Sequence, residues 1–219
     1  SLVRLNADGS VDGGFAPPAL DGAVNAVAVQ ADGKVLIGGA FTQVGNRAQA
    51  RLARLGADGK LDATFDVGEG ADGVVHAVVA QPDGKVVIGG AFTNYHGVAQ
   101  GRLARLETDG SVDTGFATGA GANDTIRTVV VQPDTAILIG GDFTSFKGVA
   151  RSRLARIHGD EKFVVNKLEF AAAYYSVKEN GGEVQLEVRR SGNTNAAYSV
   201  ELVVAGGTAT PEVDYTVAT

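Results

Sequence analysis

The chain has 219 residues, 31 of them Gly and none Cys, Met or Trp, with 19 basic and 25 acidic side chains for a formal charge of −6 at pH 7. That length holds one large domain or two ordinary ones, with enough chain to bury a core. The composition excludes a disulfide framework, a thiolate nucleophile and a zinc ribbon, and the acidity argues against nucleic acid, whose binders need a basic surface. No run approaches the roughly 20 apolar residues of a membrane span. The chain opens on Ser, without an initiator Met or a signal-like stretch, which predicts a partial or processed chain.

Self-comparison exposes an internal repeat. LVRLNADGSVDGGF at 2–15 returns as LARLGADGKLDATF at 52–65 and LARLETDGSVDTGF at 103–116, and in decayed form as LARIHGDEKF at 154–163. VNAVAVQADGKVLIGGAFT at 24–42 returns at 75–93 and 126–144, so 24–55, 75–106 and 126–157 align without a gap. Thirteen of those 32 positions are identical in all three copies, among them Gln30/Gln81/Gln132, Phe41/Phe92/Phe143 and Arg54/Arg105/Arg156. Chance does not produce that.

Each unit reads as four short strands. The first spans Val24–Gln30. Asp32-Gly33 and Asp83-Gly84 are two-residue hairpin signals, because Gly accepts the positive φ such turns need. The third copy has Asp134-Thr135, so its turn must differ or carry strain. A second, wholly apolar strand ends on Gly38-Gly39, where missing side chains permit close backbone approach. R-L-A-R-L gives the third strand, and L/V-D-x-x-F after a further Asp-Gly turn gives the fourth. No helical period is present. Four strands per unit of about 40–50 residues is the sequence pattern of a propeller blade; a β-solenoid is the alternative.

L-x-R-L-x-x-D-G-x-x-D-x-x-F followed by V-x-P-D-G-K-x-x-x-G-G-x-F resembles the delta-60 repeat of bacterial surface proteins, over roughly residues 2–157. The resemblance implies a propeller-like all-β fold in a secreted or cell-surface protein. Three units with a partial one ahead of them are fewer than the 4–8 blades of a usual ring. More blades are therefore expected upstream, or a second chain that completes the ring.

The pattern changes after Ile157, and the domain boundary is placed between 163 and 164. Beyond it Glu183–Arg189 alternates strictly, with Val184, Leu186 and Val188 on one face. Phe170, the Tyr175-x-Val177-x-Glu179 run, Val188-Arg189-Arg190-x-Gly192, Gly207-Thr208-Ala209 and Asp214-Tyr215 resemble a Calx-beta domain, an immunoglobulin-like β-sandwich found in exchangers and adhesins. Glu212 stands where that family has Gly. Only the N-terminal half of such a domain, 164–219, is present. An exposed sheet edge is a liability, so self-association through the unpaired strands, or strands donated by another chain, is an expectation. The resemblance carries calcium ligands onto Glu179 and Asp214, hard oxygens suited to Ca²⁺ but too few to fill its six to eight positions. The cofactor expectation is calcium through this incomplete site, and otherwise none.

Elsewhere the residues favour structure over chemistry. Asp8 and Asp12, Asp58 and Asp62, and Asp109 and Asp113 lack EF-hand spacing and read as turn carboxylates capping backbone N–H groups. Arg54, Arg105 and Arg156 lie two residues after a core Leu, and such cations need partners; Asp12, Asp62 and Asp113 are the candidates, with a glycan-binding arginine ring as the alternative. His76, His96 and His158 vary freely between copies and read as surface decoration. No catalytic constellation or phosphate loop is present. Asn123-Asp124-Thr125 is a formal glycosylation sequon.

The expectation is therefore an all-β, non-catalytic scaffold or adhesion module of a larger bacterial surface protein: propeller-like units at 1–163 and half a sandwich at 164–219. Its partners would be proteins or glycans at the cell surface, with no nucleic acid. A glycan-binding or carbohydrate-active propeller, and a calcium-rigidified adhesin, are the alternatives.

Overall fold

A computed structural model of the chain describes residues 2–116 and 118–158, together with the backbone of two further strands at 167–170 and 188–191. The chain divides into two parts, Ser1–Phe163 and Val164–Thr219. The described residues contain strands and turns and no helix, so none is long and apolar enough to cross a membrane.

In the first part, three units repeat one plan. β1 (Val24–Val29), β2 (Val35–Gly39) and β5 (Leu52–Leu55) form a three-stranded antiparallel sheet with β2 in the middle. The two-residue strands β3 (Gln43–Val44) and β4 (Arg47–Ala48) form a small hairpin of their own. The second unit repeats this as β6 (Val75–Ala80), β7 (Val86–Gly90), β8 (Asn94–Tyr95), β9 (Val98–Ala99) and β10 (Leu103–Leu106). The third does so as β11 (Ile126–Val131), β12 (Ile137–Gly141), β13 (Ser145–Phe146), β14 (Val149–Ala150) and β15 (Leu154–Ile157). In the second part, β16 (Lys167–Phe170) pairs antiparallel with β17 (Val188–Ser191), Phe170 opposite Val188. The remainder of the Calx-beta resemblance lies outside the described residues.

Two details of the expected unit are corrected. The fourth strand contracts to a single bridge, Leu5 to Val11, Leu55 to Leu61 and Leu106 to Val112, because the chain leaves the sheet at once to run to the next unit. The Asp-Gly turns are three-residue loops rather than two-residue ones. Gln30 N–H donates to the Lys34 carbonyl at 2.8 Å and Gly33 N–H to the Gln30 carbonyl at 2.9 Å, with Gly33 left-handed at φ 81°. This is a tight turn closed by a left-handed bulge residue. Each turn Asp is an acceptor for the amide two residues on, as in Lys34 N–H to Asp32 Oδ1 at 3.1 Å and Ser111 N–H to Asp109 Oδ1 at 3.0 Å. In the third unit the turn keeps its hydrogen bonds, Thr135 N–H to the Gln132 carbonyl at 2.8 Å, and takes the strain at φ 66°.

The two glycines of each Gly-Gly pair have different jobs. A Cβ on Gly39 would stand 2.0 Å from the Ala23 carbonyl oxygen, which accepts the Ala40 N–H at 2.8 Å. A Cβ on Gly38 would stand 2.6 Å from both Val75 and Val78 of the next unit, and one on Gly89 would stand 2.7 and 2.8 Å from Ile126 and Val129. The first glycine of the pair is therefore a socket that lets one sheet seat the leading strand of its successor. Cores accordingly lie between units: Leu36 and Leu52 of the first pack with Val75, Val78 and Ile88 of the second, and Leu103 of the second with Ile126, Val129 and Ile139 of the third.

Candidate functional site

The repeated arginine builds the joint between units. Arg54 Nε donates to Asp62 Oδ2 at 2.9 Å, and its guanidinium lies 4.6 Å over the Phe65 ring. Arg105 repeats this with Asp113 at 2.7 Å and Phe116 at 4.6 Å, and Arg4 with Asp12 at 2.7 Å and Phe15 at 4.8 Å. The carboxylate thus comes from eight residues on in the same copy of the motif, because the bridge after the Asp-Gly turn folds D-x-x-F back over the strand. The expected pairing holds for Arg54 with Asp62 and Arg105 with Asp113 and extends to Arg4 with Asp12, but Arg156 takes a different partner. Eight residues beyond Arg156 the sequence has Val164, and its guanidinium instead bonds Gln132 Oε1 at 2.7 Å and the Asp134 carboxylate.

These clamps also reach forward. Arg4 donates to the Ala57 carbonyl and Arg54 to the Thr108 carbonyl, each at 2.7 Å. A second arginine, left-handed at Arg51 and Arg102, donates to the Ala71 and Ala122 carbonyls at 2.5 and 2.7 Å. Lys34 and Lys85 join the clamp from the turn side, 3.1 Å from Asp62 and 2.7 Å from Asp113. Burial alone raises the carboxyl pKa of both aspartates. For Asp62 the Thr64 and Lys34 hydrogen bonds and the Arg54 charge outweigh it, and for Asp113 the Lys85 and Arg105 hydrogen bonds do so, leaving both below the ordinary range.

Between the turns of the first two units lies an open cleft of about 360 Å³, lined by Gln30, Asp32, Lys34, Arg54, Gln81 and Asp83 among others. Its walls are polar. Gln81 is 7 % exposed, and the Oε1 atoms of both Gln30 and Gln81 are buried without a hydrogen-bond partner. The repeat identity of this glutamine was visible in the sequence, but the loss of its donor was not.

The small hairpins form a second candidate surface. Each stem is tied down by the side chain at Asp21, Asp72 or Asn123. Asp72 accepts from Thr93 N–H at 2.7 Å, Thr93 Oγ1 at 2.7 Å and Asn94 N–H at 2.9 Å. Asn123 makes the corresponding bonds to Thr144 and Ser145 at 2.9 Å, and its amide nitrogen donates to Thr144 Oγ1, so the sequon asparagine is already used by the fold. The tips differ: Gly45-Asn46-Arg47, His96-Gly97-Val98 and Lys147-Gly148-Val149, with Val98 and Val149 exposed. His96 is more than decoration. Its ring abuts Gly68, where a Cβ would stand 2.5 Å from it, and its buried Nδ1 has no partner.

Among the described residues no three His, Cys, Asp or Glu side chains gather as a metal centre would require. Glu179 and Asp214, the calcium candidates, lie outside the described residues.

The family described as a β-propeller domain of unknown function (DUF5122) matches residues 1–15, 30–65, 81–116 and 132–160, together more than half of the chain. Nothing among curated proteins matches.

Proposed function

This chain belongs to the β-propeller family of unknown function DUF5122, and on that premise we propose that it is a non-catalytic binding scaffold, an adhesion module within a bacterial surface protein. One observation carries the reading. The arginine–aspartate–phenylalanine clamps at Arg4, Arg54 and Arg105 repeat with the same Nε-to-Oδ2 bond, whereas the hairpin tips vary in charge and apolarity from unit to unit. Invariant joints with varied tips suit a rigid frame that displays contact residues, since binding residues concentrate on loops held by a scaffold. The resemblance of 164–219 to a Calx-beta domain supplies the cell-surface setting.

The second reading, a glycan-binding or carbohydrate-active propeller, draws on the polar cleft, where Asp32 and Asp83 stand beside amide and cationic groups.

An array of surface proteins and polysaccharides, probed with the wild-type chain and with a variant whose tips at 45–47, 96–98 and 147–149 are replaced by Asn-Gly turns, separates the two. The scaffold reading expects wild-type binding that the tip variant loses at unchanged melting temperature. Turnover of any polysaccharide, or binding undiminished in the tip variant, overturns it.

A further inference from the structure

We propose that the cleft between the first two turns is a guanidinium site, in which Gln81 and Asp83 receive an arginine side chain presented by a partner polypeptide. The proposal rests on the binding-scaffold reading and gives it one specific contact.

The repeat-identical glutamine opens each turn, and the turn uses only its backbone: Gln81 N–H donates to the Lys85 carbonyl, and Gly84 N–H to the Gln81 carbonyl. The side-chain oxygen is not needed by the turn; the Gln30 amide nitrogen donates to the Gly84 carbonyl at 3.5 Å. A buried acceptor without a donor costs stability, yet Gln30 Oε1 and Gln81 Oε1 are both in that state.

The third unit shows which donor suits this place. There Arg156 Nε donates to Gln132 Oε1 at 2.7 Å while the same guanidinium holds the Asp134 carboxylate. Glutamine and aspartate, two residues apart on the turn, together span one guanidinium. Eight residues beyond Arg156 the sequence has Val164 in place of an aspartate. In the first two units Asp62 and Asp113 hold the resident arginines at 2.9 and 2.7 Å, so the same two acceptors are left without a guanidinium. The turn geometry is common to all three units, with the Gly84 and Thr135 amides closing it at 3.0 and 2.8 Å.

Of the two pairs lining the cleft, Gln81 with Asp83 has fewer partners, since Gln30 Nε2 also donates to the Gly84 carbonyl. Asp32 already has Lys34 Nζ at 3.6 Å, whereas Asp83 accepts only the Lys85 backbone N–H, at 3.1 Å through Oδ1. Arg54, also in the cleft, is neutralised by Asp62 and stacked on Phe65. A planar fork bridging an amide oxygen and a carboxylate is arginine chemistry; a lysine ammonium is a point donor and cannot bridge them in the same way.

The test is a titration of the full chain with a blocked Gly-Arg-Gly peptide, following the Gln81 side-chain and Asp83 backbone amides by NMR. Saturable shifts are expected, with the citrulline and lysine analogues about tenfold weaker. Gln81→Leu is expected to abolish the Asp83 shift with melting unchanged or raised, since it removes an unpaired buried acceptor. Asp113→Val is expected to turn Arg105 toward Gln81 and Asp83, the arrangement that Arg156 adopts with Gln132 and Asp134, and so to block the peptide. Should Asp113→Val not fold, Gln81→Leu decides alone. No saturable shift with the arginine peptide, equal shifts with citrulline, or a shift that survives Gln81→Leu overturns the proposal. Because the hairpin tips are untouched here, a silent titration alongside tip-dependent array binding removes this site and leaves the scaffold reading standing.

Discussion

At the scale of single residues, the three arginine clamps differ mainly in burial, and that sets what each contributes. Arg105 and Asp113 are almost fully enclosed, with side chains 2 % and 6 % exposed, while Arg4 is 40 % exposed. Removing one partner of a buried pair leaves the other charge poorly compensated, whereas an exposed pair contributes little. Arg105→Ala is therefore expected to cost about 3 kcal/mol and Arg4→Ala under about 1 kcal/mol, read from urea midpoints. The same clamps make the fold acid-sensitive. Asp113 and Asp62 titrate below their unfolded value, so their stabilisation is complete above about pH 4 and is lost as pH falls through that value towards the lower folded one. Asp113→Asn should lower the urea midpoint at neutral pH, yet flatten its fall between about pH 5 and about pH 2; a slope equal to that of the wild type would remove Asp113 from this account. The need of the arginine for a carboxylate was legible from its place beside a core leucine. The aspartates that meet it, Asp12, Asp62 and Asp113, were legible too, because one recurs in each full copy of the motif; the turn of Arg156 to Gln132 and Asp134 was not.

At the scale of elements, the turns and the glycine pair translate sequence into geometry most directly. Asp-Gly announced the turn in the first two units, and the Asp134-Thr135 copy shows what the glycine provides, since Thr135 must hold φ 66°. A left-handed residue with a Cβ carries about 1–2 kcal/mol of strain. Thr135→Gly is accordingly expected to stabilise by about 1 kcal/mol, measured by chemical denaturation, and Gly84→Thr to cost at least as much, with Thr108 Cγ2 only 3.0 Å from the new Cβ. The Gly-Gly pair was legible as a place of close approach, but not as a socket for the following unit. Gly89→Ala puts a methyl against Ile126 and Val129 and is expected to cost about 1–3 kcal/mol. Gly140→Ala meets only the Thr128 methyl at 2.8 Å among side chains and should cost less; equal losses would mean that the sockets do not matter. The fourth strand expected from L/V-D-x-x-F is cut short because pairing ends after one bridge, where the chain turns toward the next unit.

At the scale of the whole molecule, stability resides in the joints. Each core is shared by consecutive units, as in repeat proteins whose stability sums unit and interface terms. β7 is buried along its whole length, whereas β12 alternates between buried and half-buried positions. Amide exchange in β7 is expected to be at least about tenfold slower than in β12, by hydrogen-exchange mass spectrometry; β12 exchanging as slowly would mean that the neighbouring units add nothing. By itself the sequence determined the repeat, its strands, its turns and the absence of helix, because these follow from local backbone preferences and from a period that self-comparison exposes. The repeat also pointed to Asp62 and Asp113 as partners of the arginines, and the structure agrees; only the tertiary structure decided that Arg156 falls on Gln132 and Asp134, and that Gln30 and Gln81 line one cleft with each Oε1 lacking a donor. Those outcomes depend on which groups 24 or 51 residues apart come within hydrogen-bond reach, and no local preference encodes that distance.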